Sequence, residues 1–304
     1  MINGLVHVCL LVLMPPLLLG ITNKTKALFA GRAGAPVLQP YYDLLRLFRK
    51  STVTSSTVTW VFAAGPVVAL VTVLLAGLLV PLSRFPAPVD FTGSMILFAY
   101  LLALGRFFTT VAALDTGSAF EGMGAAREVT FACFAEPALF FGLLVLARLT
   151  GSLSLSVMLD GAWTGVWTTA GPSLVLVVAA LFAVLLAENS RIPFDDPNTH
   201  LELTMIHEVM VLDHSGPALG LIFYGAAVKL FVLGALVLRI AMPVATGWAV
   251  LDWGLFVAGI CLLAVAVGVV ESCMARLRLR NVPGLLVAAS LLSGFGFLLL
   301  VRWS

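Results

Sequence analysis

The sequence predicts an all-α integral membrane protein of about eight transmembrane helices, with a further amphipathic helix on its cytoplasmic side. Three observations carry this. The 304 residues are 61% hydrophobic and only 11% charged. Apolar runs of roughly 18 to 24 residues recur along the chain, about the length that crosses a bilayer core as an α-helix. The charged residues gather between those runs. No internal repeat and no soluble domain are visible, so residues 1–304 read as a single polytopic membrane domain.

The first span, 2–21, follows no basic residue, is longer than the apolar part of a secretory signal and lacks a small-residue cleavage site, so it reads as retained. Pro15 and Pro16 inside it remove backbone donors and predict a kink. The cytoplasmic loop 22–59 has a patterned second half. Val37, Leu38, Tyr41, Leu44, Leu45 and Phe48 recur at helical spacing, with Asp43, Arg46, Arg49 and Lys50 on the other side. This predicts a helix lying in the bilayer interface, its basic end suited to anionic headgroups. Spans 60–82 and 91–113 follow, then a loop 114–128 and spans 129–149 and 170–188. After loop 189–216 come spans 217–240 and 250–272, loop 273–282 and a last span 283–302. Pro66 and Pro137 fall close to the predicted helix starts, where proline is tolerated.

Orientation follows from the basic residues. Eleven lie in loops after odd-numbered spans: Lys24, Lys26, Arg32, Arg46, Arg49, Lys50, Arg127, Arg191, Arg276, Arg278 and Arg280. Only Arg84, Arg148, Arg239 and Arg302 lie on the other side. The positive-inside rule then puts the odd loops in the cytoplasm and both termini outside.

The four cysteines, Cys9, Cys133, Cys261 and Cys273, form no C-x-x-C pair and fall in or at the ends of apolar runs. An iron–sulfur cluster or structural zinc needs several sulfur or imidazole ligands at compatible spacing. No cofactor is therefore expected in this chain, and any redox centre belongs to a partner. The lipid bilayer is itself a partner, and no nucleic acid is expected.

Charges inside spans point to function, because an ionisable group in hydrocarbon costs at least a few kcal/mol unless paired or hydrated. Arg106, Glu136 and Lys229 lie within predicted spans, and Glu188 and Glu271 at span ends. Four of these belong to the cytoplasmic half and Lys229 lies near the midplane, an order suited to a hydrated proton relay. The competing reading has Arg106 and Glu271 reaching the headgroups and Glu136 merely tying helices together.

The stretch "ENSRIPFDDPNTHLELTMIHEVMVLDHSG", Glu188 to Gly216, holds ten ionisable side chains. Its histidines, His200, His207 and His214, are seven apart and would share a face if the stretch were helical. Two turns of rise, about 10.5 Å, is too far for one metal. The H-E-x-x-H pattern also fails, because Val211 stands where the second histidine belongs. Surface polar contacts are the expectation for these residues.

Three motifs in order then carry a resemblance. "GRAGAPVLQPYYDLLRLFRK" (Gly31 to Lys50) resembles the GR-x-GP-x-x-x-QP-x-x-D segment of the complex I membrane subunit called subunit 1 in mitochondria, a family with bacterial members. "REVTFACFAE" keeps that family's arginine-to-glutamate spacing at Arg127 and Glu136, and "ENSRIPFDDP" resembles its E-x-N-R-x-PFD-x-P loop. The departures select a branch. The family's acidic E-A-E-S-E-L run is replaced by Asn198, Thr199, His200, Leu201, Glu202 and Leu203, and Phe131 stands in place of a glutamine. "LDTGSAFEGMGAAREVTFACFAEPAL", "ESCMARLRL" and the "PFDDPNTHLELTMIHE" stretch are similar instead to the membrane-anchor subunits of formate hydrogenlyases and of hydrogenase-4, such as its component C.

The resemblance implies a non-catalytic membrane subunit of a complex I-like oxidoreductase. It implies hydrogenase large and small subunits, an iron–sulfur protein and antiporter-like membrane subunits as partners, which would hold the iron–sulfur clusters and a nickel–iron site. Arg32, Gln39, Asp43, Arg127, Arg191, Asp195, Asp196 and Glu202 are the expected docking residues. Glu136, Glu188, Lys229, Glu271 and Arg106 are the expected proton path. The alternatives are a quinone-site subunit of a proton-pumping NADH:quinone oxidoreductase, against which the lost loop carboxylates argue, and a passive anchor. A stand-alone transporter is weakest, since no matched pair of broken helices appears.

Overall fold

A computed structural model of the chain describes residues 2–160, 164–195, 205–243 and 246–303. Among these residues eight helices are long and apolar enough to cross a membrane. They belong to α1 (Ile2–Phe29), α3 (Trp60–Leu79), α4 (Ser94–Asp115), α5 (Ala119–Thr150), α7 (Thr164–Glu188), α8 (Gly216–Ala241), α9 (Ala249–Cys273) and α10 (Val282–Trp303). The amphipathic helix α2 (Gln39–Phe48) and the single turn α6 (Leu155–Met158) complete the set, with 3-10 turns at Glu208–Val211 and Leu279–Asn281.

The helix α8 is the hub, with 67% of its membrane window buried inside the protein. It packs against α1, α3, α7 and α9, and α2 lies across its cytoplasmic end. On one side α3 pairs with α4, and on the other α5 and α7 pack with α10. The core between them is built from apolar side chains such as Phe98, Leu143, Leu146, Leu185 and Phe231, all fully buried. That burial contributes packing and dispersion contacts, since lipid tails are as apolar as the core and supply no hydrophobic drive between helices. As the periodicity predicts, α2 turns Leu38, Tyr42, Leu45 and Phe48 outward together with Arg46 and Arg49.

Three boundaries differ from the sequence expectation. The helix α1 runs unbroken through Pro15 and Pro16 to Phe29, so the loop placed at 22–59 begins later. The loop placed at 114–128 is a turn of three residues, 116–118, closed by Gly117 at φ 70°. Residues 119–128 instead prolong α5, which places Pro137 deep inside that helix rather than near its start. Two glycines and several charges in "SAFEGMGAARE" suggest a loop by composition, yet one of those glycines serves packing. A Cβ on Gly124 would lie 2.4 Å from Val209 Cγ1 and 3.1 Å from the Ile206 carbonyl oxygen, so glycine lets residues 206–210 close onto the helix. In α7 the backbone leaves helical geometry at Ala170 (φ −114°, ψ 17°), the position at which the predicted span begins.

Candidate functional site

The site begins with Arg106 on α4, whose side chain is only 10% exposed. A guanidinium has five donors in a rigid fork and stays charged, so at this depth it needs anions on several sides. Two come from α5 and one from the end of α7. Arg106 Nη1 donates to Glu136, Nη2 donates to Glu188, and Nε lies 3.3 Å from Glu128 Oε1. From α8, Lys229 Nζ reaches Glu188 Oε2 at 2.6 Å. His207, just before the 3-10 turn, places Nε2 3.1 Å from Glu128 Oε2.

The carboxylates differ in setting. The side chains of Glu128 and Glu188 are each 8% exposed, whereas that of Glu136 is 42% exposed on the flank of α5. A half-exposed carboxylate within a span cannot rest against hydrocarbon without great cost, so that flank suits a polar partner better than lipid.

A cavity of about 650 Å³ adjoins the cluster. Arg106, Glu128, Glu188, His207 and Lys229 line its inner wall, and the exposed Asp43 and Arg46 of α2 line its edge. A second cavity of about 20 Å³ lies between Glu128, Glu188, Asp195 and His207.

A separate ionic group closes the cytoplasmic ends of α1 and α9. Glu271, fully buried, accepts from Lys26 Nζ at 2.7 Å and from Arg191 Nη1 at 3.3 Å. Among the described residues no three His, Cys, Asp or Glu side chains converge as metal ligands would. Cys9, Cys133, Cys261 and Cys273 are all free thiols.

The sequence matches the NADH dehydrogenase family over residues 2–302. The chain belongs to that family. It is 32% identical to formate hydrogenlyase subunit 4 of Escherichia coli (strain K12), over 96% of this chain and 94% of the relative. It is also 32% identical to hydrogenase-4 component C of the same organism, over 80% of this chain and 75% of the relative. A membrane subunit of the NADH-quinone oxidoreductase of Rubrobacter xylanophilus is 30% identical over 55% of this chain and 51% of its own. The fold is shared with a chain of the membrane-bound sulfane sulfur reductase, an archaeal respiratory membrane complex. That match has a TM-score of 0.84 at 19% identity and covers 98% of both chains. This member of the NADH dehydrogenase family is thus a complex I-like membrane subunit.

Within this family member, four of the five sequence-predicted path residues meet: Arg106, Glu136, Glu188 and Lys229. Glu271 stands apart in its own group with Lys26 and Arg191. Arg106 does not turn toward the headgroups, because three carboxylates hold it inward.

The docking residues divide. Arg32 is exposed, and exposed Asp43 accepts from Gln39 Nε2 at 2.9 Å one turn away on α2. Three others turn inward. Arg127 donates to the Met205 carbonyl oxygen at 2.8 Å. Asp195, 1% exposed, accepts from the backbone N–H of Ile206 and His207 and from Arg276 Nη2 at 2.9 Å. Arg191 is taken up by Glu271. Asp196 and Glu202 lie outside the described residues, as does His200.

The expectation of surface contacts for the histidines fails at both described positions. His214 is 6% exposed and stacks on Phe62 at 3.9 Å between ring centroids. Burial lowers its pKa to about 4, against a smaller raising effect of Asp213. His207 is buried beside Glu128, and its pKa moves the other way. Burial opposes the charged ring, but attraction to Glu128 outweighs burial and raises the value above 6.5.

Sequence reading misses Glu128 because it assigns that residue to a loop. The available signal is its spacing eight residues before Glu136, which returns it to nearly the same helix face once α5 starts at Ala119.

Proposed function

We propose that this chain is the membrane-anchor and proton-path subunit of a complex I-like membrane-bound nickel–iron hydrogenase, of the hydrogenase-4 or formate hydrogenlyase type. It docks a cytoplasmic electron-transfer arm and couples redox change to proton translocation. It lies in the bacterial cytoplasmic membrane with both termini outside. Its partners are the hydrogenase large and small subunits, an iron–sulfur protein and antiporter-like membrane subunits. Those partners carry the iron–sulfur clusters and the nickel–iron site.

The observation that supports this reading most is the continuous ionic cluster Glu136, Arg106, Glu128, Glu188 and Lys229 on one side of a cavity that reaches α2. Carboxylates bridged by a guanidinium and an ammonium can trade partners as a proton enters, while the cavity has room for the water that carries it. Glu136 then faces the next membrane subunit. Arg32, Gln39 and Asp43 form the outward docking face, and Arg127, Arg191 and Asp195 hold the loop beneath it in shape.

The test is to purify the native complex through a tag on this chain, identify its partners by mass spectrometry, and assay hydrogen evolution beside quinone reduction. Nickel–iron subunits with hydrogen evolution are the expected result. The cavity favours a second reading, because about 650 Å³ falls within the roughly 300–1,000 Å³ typical of small-ligand sites. Flavoprotein partners with quinone reduction would replace the first reading by a quinone-site subunit.

A further inference from the structure

His207 occupies a position that the proton-path reading leaves unused. It sits on the docking loop, yet its ring faces the membrane cluster across 3.1 Å to Glu128. Its own backbone N–H is held by Asp195 at 3.3 Å, and Asp195 is neutralised by Arg276. The ring is therefore fixed from the loop side and contacts the cluster on the other. Around it stand Glu128 from α5, Arg106 from α4, Glu188 from α7, Lys229 from α8, and Asp195 and Glu208 from the loop itself.

Charge balance gives the ring its significance. Setting aside the Asp195–Arg276 pair, the cluster has three carboxylates, Glu128, Glu136 and Glu188, against two fixed cations, Arg106 and Lys229. One positive charge on His207 makes the group neutral. Every other member keeps its charge near neutral pH when paired, so the imidazole is the member whose ordinary pKa allows it to gain and lose a proton there. The small cavity adds a route. At about 20 Å³ it exceeds the roughly 10–15 Å³ that one water needs, and Glu188, Asp195 and His207 offer it polar partners. His207 lines both this cavity and the large one, so it stands between them.

We propose that His207 is the proton-loading residue of the relay, taking a proton from the loop side and delivering it to Glu128. The inference rests on the proton-path reading and specifies its entrance. In the delivery step the Nε2–H bond breaks and an O–H bond forms on Glu128 Oε2. The pair passes from imidazolium and carboxylate to neutral imidazole and carboxylic acid. Arg106 then keeps two anions instead of three, and its charge is left to Glu136 and Glu188. The signal of a proton on Glu128 thus reaches Lys229 through Glu188 without a shift of helices.

The experiment uses the native complex reconstituted in liposomes, reading protons moved per hydrogen evolved across pH. His207→Arg keeps a cation opposite Glu128 but cannot release its proton, and His207→Gln removes the titration altogether. Both are expected to lower the ratio by about tenfold or more, within the range a positioned proton donor contributes. The pH dependence of the parent ratio around the His207 pKa is expected to vanish with it.

Parent-like coupling in His207→Arg would overturn the inference, because a fixed charge would then suffice and His207 would be only a latch. Glu188→Gln run alongside separates the two levels. If it uncouples while the His207 variants do not, only the loading role fails; if none of them uncouples, the relay itself fails. Should neither His207 variant assemble, nitrogen-15 NMR of histidine-labelled parent complex decides. A buried imidazole titrating above its ordinary range upholds the role, and a His207 that stays in one protonation state throughout overturns it.

Discussion

Replacing Arg106 with methionine removes one guanidinium from among three carboxylates, and the structure sets how much that should cost. Breaking a buried ion pair by deleting one partner costs about 3–5 kcal/mol, because the other charge is left uncompensated. Three such losses do not add here. Glu188 keeps Lys229 at 2.6 Å and Glu128 keeps His207 at 3.1 Å, while the Glu136 side chain is 42% exposed and can be solvated or covered by a partner. The expected cost is therefore that of one broken buried pair, roughly 3–5 kcal/mol, or two to three and a half decades in the folding equilibrium. Detergent-induced unfolding in mixed micelles, followed by circular dichroism, measures it. The double variant Arg106→Met with Glu128→Gln should recover part of the loss, since His207 can then become neutral and no orphaned charge remains beside it. The reasoning is refuted if Arg106→Met costs less than about 1 kcal/mol, the scale of an exposed pair, or if the double variant is no more stable than the single one.

Three further outcomes are expected. Glu136→Gln, which removes a charge from the flank of α5, should bring protons moved per hydrogen evolved in liposomes close to zero; unchanged coupling would leave this chain a passive anchor. Gly124→Val should destabilise by about 1–3 kcal/mol through overpacking, because even a Cβ there lies 2.4 Å from Val209 Cγ1. Hydrogen exchange should then speed up in residues 205–211 before it does in α5. His214, whose folded pKa is lowered to about 4 from 6.5, remains neutral in the folded chain while the unfolded chain takes up a proton. Stability should therefore fall as pH drops from 6.5 toward about 4, and His214→Phe, which keeps a ring against Phe62, should flatten that dependence of the thermal midpoint.

His207 has the opposite sign. Its folded pKa is raised, so the stability of the Glu128 contact is fully present below about 6.5 and is lost as pH rises through the elevated value. The two histidines, seven residues apart on one loop, thus respond to pH in opposite directions. Stacking on an aromatic ring and facing a carboxylate account for the difference.

What the sequence determined by itself is what depends on local composition. A bilayer-length apolar run has few structures open to it other than a helix, because every backbone polar group must be satisfied internally. The eight spans are therefore legible, and so is α2, whose two faces differ in polarity every turn. The cost of charge in hydrocarbon likewise marks Arg106, Glu136 and Lys229 as functional before any contact is known.

Tertiary structure alone decided which charges meet. Arg106 and Glu188 are 82 residues apart in sequence, and Arg191 and Glu271 are 80 apart. No spacing rule connects them, because helix packing, not chain distance, brings them within reach. The same packing drew Arg127, Arg191 and Asp195 inward from an apparent surface loop, separated Glu271 from the main cluster, and added Glu128 and His207 to it. A loop appears solvated in sequence because it is charged; here much of its charge is buried because each inward group finds a counter-charge or a backbone partner on another helix.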